Sequence, residues 1–363
     1  MIKATERNFT AQAGTVLEMN VYDKDGHFLL EMGAPLTESC IRRILAVGYI
    51  NVYSRKREPS EGHPPEASKA SAHAPPLTTT QKPRFQAFNK AYVEKKNDAA
   101  KLIHDISNGG IVDVEAIAAQ TESIMSELND KKDLIGYLTF MEGTDDVTYG
   151  HSINVSLLSN LFGQWIGLSA DEMKVLTVAG MLHDVGKTQI PAEIINKTGK
   201  LTDEEFKIMK SHPKLGYDIL TTRKLDKEIQ FAALMHHEKL DGSGYPLRLT
   251  ADKITRFASI VAICDIYDAM TANRSYRPKI CPFTIFETFE NKFYGELHTE
   301  YLLVFLDKIA HSFMNNLVKL SNNEVGEVIH VHPKSISRPI IRLDNGTFVD
   351  LQTDKSLSVA EVY

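Results

Sequence analysis

Cysteine is scarce in this chain: 363 residues carry three, Cys40, Cys264 and Cys281. So few and so widely spaced, they cannot form a disulfide framework and suit a reducing compartment. Long apolar runs are missing too. No stretch of about 18 apolar residues is available to cross a bilayer, and the opening MIKATERNFTAQ has no apolar signal core. The expectation is a soluble, cytoplasmic protein that does not engage a membrane. Positive charge is not in excess either. A formal net charge of −6 argues against a general binder of DNA or RNA polymers, which would show a basic face. A small anionic ligand stays compatible with local cations or metals. There is no HExxH or CxxC metal motif and no internal repeat. Hydrophobic residues still make up 43% and charged residues 24%, enough for a packed core and against wholesale disorder.

The pattern along the chain predicts a mainly α protein with a small N-terminal α+β module and a short C-terminal β-extension. In residues 1–54, Val16, Val21, Tyr22, Phe28 and Leu29 flank a DKDG turn, which predicts a hairpin. A helix near Thr37 and a returning INVY strand would complete this regulatory or interaction module. Residues 55–84, RKREPSEGHPPEASKASAHAPPLTTTQKPR, are too poor in large apolar side chains to offset their ordering entropy and read as a flexible linker; His63 and His73 within it read as solvated.

Residues 85–130 form one amphipathic stretch with Ile103, Ile106, Ile117, Ile124 and Leu128 at helical spacing, a connecting helix that packs or dimerises. Residues 131–320 read as helical throughout. Ser169 with Glu172, and Thr202 with Glu205, are capping boxes that start two helices. Further helices are predicted over 254–271 and 300–320. In residues 321–363 the runs VGEVIHVHP, RPIIRL and GTFVDL predict strands.

The chemistry-bearing residues lie in the helical region. His151 shares a helix face with Val155, Leu158, Phe162 and Trp165; alone, it would read as a hydrogen-bonded core histidine. The HDVGK stretch sets His183 beside Asp184. Neighbouring helical side chains diverge by about 100°, so a carboxylate next to a metal-bound imidazole can reach a second metal and bridge the two. Gly186 permits a sharp exit from the helix, and Lys187 is expected near substrate phosphate. His212 precedes Pro213 at a helix start, and His236 and His237 end a helix facing different ways. Asp265 sits in the apolar run ASIVAICDIYDAMT, where a carboxylate costs several kcal/mol unless paired or bound to a cation; Asp268 lies one turn further on. In HHEKLDGSGYP, Gly242 and Gly244 allow a shaped loop, while Glu238 and Asp241 read equally as partners of the histidines or as surface charge. This mixed nitrogen and oxygen donor set suits iron, manganese, zinc, cobalt or nickel.

These residues match a known pattern. His183-Asp184-Val-Gly-Lys187 resembles the signature of the HD phosphohydrolases, and His236 through Gly244-Tyr245-Pro246 resembles the defining motif of their HD-GYP branch. Asp265 and Arg274-Ser-Tyr-Arg277 come next in the expected order. The resemblance implies an HD-type helical bundle around a buried metal centre, often of iron or manganese, that hydrolyses cyclic di-GMP. Position by position it implies His151, His183, Asp184, His212, His236, His237 and Asp265 as metal ligands, with Asp184 bridging. It assigns phosphate contacts to Lys187, Arg274 and Arg277, and a substrate-shaping loop to Gly244 and Tyr245. Some members carry a glutamate one turn before the first histidine; here Val147 stands there, which favours two metals over three. The implied reaction is attack by a metal-bridging hydroxide, with Asp184 and Lys187 in the catalytic machinery and 5′-pGpG as the first product; onward conversion to GMP is left open. Competing readings are a non-catalytic cyclic di-GMP receptor or signalling adaptor, a phosphodiesterase for another cyclic dinucleotide, and a mononucleotide HD nucleotidase. A homodimer, through the N-terminal module or the 86–130 helix, and a signalling protein partner fit this organisation.

Overall fold

The structure, a computed structural model, describes residues 2–4, 15–17, 21–22, 28–30, 52–56 and 81–363 apart from 129, 132, 141–146, 198, 224 and 272–279. Side chains are described from Phe85 onward, except at 140, 147 and 148. The chain divides into two compact units: Met1–Ala87 with Asn316–Val328 and Ile340–Tyr363, and Phe88–Asn315 with Ile329–Pro339.

The N-terminal strands are β1 (Ile2–Ala4), β2 (Thr15–Leu17), β3 (Val21–Tyr22), β4 (Phe28–Leu30) and β5 (Val52–Lys56). β3 and β4 pair antiparallel, and β5 lies between β1 and β2, antiparallel to both. The helix expected near Thr37 lies outside the described residues, as do residues 57–80 of the expected linker. Lys56 ends a strand and Gln81 opens a helix, so both margins of the 55–84 segment belong to regular elements.

The helices are α1 (Gln81–Ser107), α2 (Val114–Met125), α3 (Asp133–Phe140), α4 (Val147–Trp165), α5 (Ala170–Leu182), α6 (Ala192–Ile195), α7 (Asp203–Met209), α8 (His212–Thr221), α9 (Lys227–Met235), α10 (Arg256–Thr271), α11 (Pro282–Thr288) and α12 (Thr299–His311). The single helix expected over 86–130 is two. Gly109 takes a positive φ of 104°, Gly110 N donates to Asp105 O at 2.8 Å to close α1, and Asp113 then caps α2 by accepting from Ala116 N. The two capping boxes form, Ser169 with Glu172 opening α5 and Thr202 with Glu205 opening α7.

α4 packs closely on α5. A Cβ on Gly180 would meet Ser159 Oγ at 2.8 Å and Val155 O at 2.9 Å, so only glycine lets these backbones approach. α9 packs on α5, α8 and α10. Leu158 and Phe162 on α4, Leu176 and Val178 on α5, and Ile260 and Ile263 on α10 are all buried. No described helix is long and apolar enough to cross a membrane.

The helix expected over 300–320 stops at His311. Asn315 adopts the left-handed region at φ 65°, and Val318 and Leu320 then alternate inward at strand period. The C-terminal sheet begins there: β6 (Leu317–Leu320), β7 (Val325–His332), β8 (Ser335–Leu343), β9 (Phe348–Asp350) and β10 (Val359–Val362), in the order β10-β6-β7-β8-β9. The molecule is thus mainly helical with a small antiparallel sheet at its C-terminal end.

Candidate metal centre

α5 delivers the first pair of side chains. Its C-cap is His183, after which Asp184 turns the chain into a 3₁₀ segment, Val185–Gln189. Gly186 does not serve here by a positive φ. A Cβ at that position would lie 2.0 Å from His212 O and 2.4 Å from Gly216 N, so its bare backbone is what seats α8 against the turn. This contact carries His212 to Asp184. α9 ends at Met235 and presents His236 and His237, and α10 supplies Asp265 from its buried face.

These seven side chains converge in two sets around one carboxylate. Asp184, His212, His236 and His237 offer ligand atoms all within 4.8 Å of one another, and so do His151, His183 and Asp265. Asp184 spans them. Its Oδ1 lies 3.2 Å from His212 Nε2 and 3.7 Å from His236 Nε2, while its Oδ2 lies 3.4 Å from His183 Nε2 and 3.6 Å from His151 Nε2. Asp265 Oδ1 is 2.9 Å from His151 Nε2, and its Oδ2 is 3.8 Å from His237 Nδ1.

The protonation pattern suits ligation. His183 Nδ1 faces Gly180 O at 2.7 Å, His212 Nδ1 faces Met209 O at 2.7 Å, and His236 Nδ1 lies 3.0 Å from both Ala232 O and Ala233 O. A carbonyl only accepts, so each Nδ1 carries a proton, and in the neutral ring each Nε2 is left as a lone-pair donor. Burial lowers the pKa of His212 and pushes that of His237 well down, which keeps both imidazoles neutral. Burial opposes ionisation of Asp184, but Lys187 and His183 outweigh it and hold the carboxyl well below the usual range. Asp265 is likewise buried yet held ionised, chiefly by the His151 hydrogen bond. Burial opposes charge on His151 too, and its hydrogen bonds to Asp265 and Asp268 raise its pKa to about 10; a metal ligated at its Nε2 would displace a proton.

The donor set fits a cation on a direct observation. With their Nδ1 protons directed at backbone carbonyls, His212 and His236 place their Nε2 atoms 3.3 Å apart, both facing Asp184 Oδ1. Buried His183 Nε2 and Asp184 Oδ1 have no hydrogen-bond partner. Unpaired buried acceptors are costly, and a metal ion between them removes that cost.

The other expected site residues surround this cluster or lie outside the described residues. Lys187 Nζ donates to Asp184 Oδ2, the oxygen facing His151 and His183. Asp184 and Lys187 line one side of a cavity of about 310 Å³ whose other walls include Ile103, Tyr149, Ser152 and Asn196. Tyr245 stacks on His237 with ring centroids 4.7 Å apart. Gly244 lies so close to the 237–239 backbone that a Cβ would meet Glu238 Cα and Lys239 N at 2.5 Å. Arg274 and Arg277 lie outside the described residues. The Glu238 carboxylate binds backbone amides. It accepts from Leu247 N at 2.6 Å and Leu249 N at 2.9 Å and so ties down the loop that carries Tyr245. Asp241 accepts from Ser243 within its own turn.

Two supporting residues carry no role in the sequence reading. Asp268 Oδ2 accepts from His151 Nδ1 at 2.7 Å, and Asn154 Nδ2 donates to Asp268 Oδ1 at 2.8 Å. Their spacing is the available signal: Asn154 lies one helical turn after His151, and Asp268 one turn after Asp265.

Comparison with known proteins bears on the same region. Residues 115–287 match the family model described as HD domain. Cyclic di-GMP phosphodiesterase PA4108 of Pseudomonas aeruginosa is 28% identical over 251 residues, 68% of this chain and 60% of that protein. Cyclic di-GMP phosphodiesterase response regulator RpfG of Xanthomonas campestris pv. campestris is 39% identical over 140 residues, 38% of this chain and 37% of that protein. 3′3′-cGAMP-specific phosphodiesterase 2 of Vibrio cholerae is 40% identical over 139 residues, 38% of this chain and 27% of that protein. The chain spans less than two thirds of the length of each of these relatives. The HDVGK and GYP segments both lie inside the region that matches the HD domain model.

Proposed function

We propose that this protein is a metal-dependent phosphodiesterase that opens the ring of cyclic di-GMP to give 5′-pGpG. The observation that carries the reading is the split of Asp184, one oxygen toward His212 and His236 and the other toward His183 and His151. A carboxylate so shared suits two cations. His151, His183 and Asp265 would hold one, His212, His236 and His237 the other, with Asp184 common to both; iron or manganese suits these donors, as do zinc, cobalt and nickel. When bound, such a pair of ions supplies a water acidified to near-neutral pH and polarises a phosphoryl oxygen.

The chain's own residues do the rest. The cavity of about 310 Å³ beside Asp184 and Lys187 admits the scissile phosphate next to the centre. Lys187, partly exposed on Asp184, provides positive charge toward phosphate oxygens, and Arg274 and Arg277 add to it, so that negative charge developing on the phosphoryl oxygens is offset. Tyr245, stacked on His237 and anchored through Glu238, shapes the wall on which the substrate lies. The named activities of the relatives support the substrate class, and the similarity to a 3′3′-cGAMP-specific enzyme supports the mixed cyclic dinucleotide as the second choice.

The test is turnover of cyclic di-GMP, 3′3′-cGAMP and a mononucleotide by anaerobically purified protein loaded with Fe²⁺ or Mn²⁺, with products separated by chromatography. Formation of 5′-pGpG, abolished by chelation, is expected. Tight binding without product would assign the chain a receptor role, and hydrolysis of the mononucleotide alone would make it a nucleotidase; either outcome overturns the reading.

A further inference from the structure

We infer that Tyr92, on α1 and outside the matched HD region, is a positioning residue for the metal centre, acting on His151 through Asn154 and Asp268. The inference rests on the metal-dependent reading above. Tyr92 is buried, 3% exposed. Its hydroxyl lies 2.7 Å from Asn154 Oδ1 and 3.1 Å from Gly150 O; the single proton is best placed on the nearer acceptor. Asn154 Nδ2 then faces Asp268 Oδ1 at 2.8 Å, and Asp268 Oδ2 faces His151 Nδ1 at 2.7 Å.

Donor and acceptor chemistry orders the whole chain. The Asp268 carboxylate only accepts, so Asn154 must turn its amide nitrogen toward it, and Oδ1 is left facing Tyr92. The same carboxylate requires a proton on His151 Nδ1, which commits Nε2 to the side of Asp184 and Asp265. Tyr92 fills the last open position: without its hydroxyl, Asn154 Oδ1 loses its donor, and the amide is free to rotate away from Asp268. Asp268 would then hold the imidazole with one anchor fewer. Residues 115–287 supply the ligands that come after His151 in the chain, but the support for His151 itself comes in part from a helix that lies before that region.

Removing a partner that orients a metal-bound histidine weakens metal affinity by about 10- to 100-fold. Tyr92 acts two hydrogen bonds away, so Tyr92→Phe is expected at the low end, about tenfold, in the binding step that uses His151, with the other step unchanged. The experiment is Mn²⁺ titration of the metal-free 363-residue chain by calorimetry, beside thermal unfolding of the same samples. Ile106→Val, which loosens buried packing on α1 well away from Tyr92, is the comparison: it should lower the melting temperature and leave both Mn²⁺ steps in place. Asn154→Ala removes the middle link and should repeat the Tyr92→Phe loss, which keeps the test open if one variant folds poorly. Wild-type Mn²⁺ affinity in Tyr92→Phe, or losses that track the fall in stability equally in Tyr92→Phe and Ile106→Val, overturns the inference and leaves the metal reading standing. A wild-type protein that binds no Mn²⁺ overturns the metal reading, and the inference falls with it.

Discussion

Gly186 and Glu238 show how single residues set the geometry of the centre without belonging to it. The atoms that crowd Gly186 are backbone, His212 O and Gly216 N, so no rotamer change can make room for a methyl group. Gly186→Ala is expected to cost about 3 kcal/mol and to push α8 off the turn, separating His212 from Asp184. Urea denaturation and Mn²⁺ titration check both effects, and stability within about 0.5 kcal/mol of wild type would refute the close approach. Glu238→Gln is predicted to act differently. Each carboxylate oxygen accepts one backbone N–H, from Leu247 and Leu249; an amide must turn its NH₂ toward one of them, at a cost of about 1–3 kcal/mol. The expected outcome is faster hydrogen exchange at Leu247 and Leu249 with metal content unchanged. At this scale the sequence showed which residue types could ligate, but it could not show their meeting. His212 alone read as a helix-start residue, and Gly186 read as a turn former when its role is to be thin.

Elements were legible where local chemistry decides them. Both capping boxes stand out as Ser or Thr with Glu three residues later, and the structure closes each with reciprocal hydrogen bonds. Ser169→Ala should therefore lower unfolding stability by about 1 kcal/mol, measured by urea titration. The exposed Glu172–Arg256 ion pair at 3.1 Å adds little, because solvent screens it. Element ends were harder to read. The apolar spacing of Ile103 to Leu128 runs on across Asn108-Gly109-Gly110, so periodicity alone joined α1 to α2. Three residues decide the break: Gly109 by its positive φ, Gly110 by its bond to Asp105, and Asp113 by capping α2. The overrun of the last helix has the same origin. Leu317, Val318 and Leu320 suit either period, and Asn315 in the left-handed region ends the ambiguity.

On the scale of the molecule, the centre is a cross-link as well as a candidate site. It draws side chains from α4, the end of α5, α8, the end of α9 and α10, and His183, Asp184, His212 and His236 are at most 3% exposed. Two ionised carboxylates among them are taken out of water, which costs several kcal/mol per ion unless opposite charge is near. Lys187 and the raised proton affinity of His151 offset part of this, and bound cations would offset more. A ligand that binds only the folded state stabilises it by RT ln(1 + [L]/Kd), about 2.7 kcal/mol at one hundred times Kd. For domains of about 150–250 residues, 1 kcal/mol shifts the melting temperature by about 2–4 °C. Chelation of Mn²⁺-loaded protein should therefore lower the melting temperature by about 5–10 °C, reversibly, by differential scanning calorimetry. Asp184→Asn, which weakens the link between the two ligand sets, should shrink that response to within about 2 °C. A metal-loaded protein whose melting temperature ignores chelation would show that cations bind elsewhere than among these five helices.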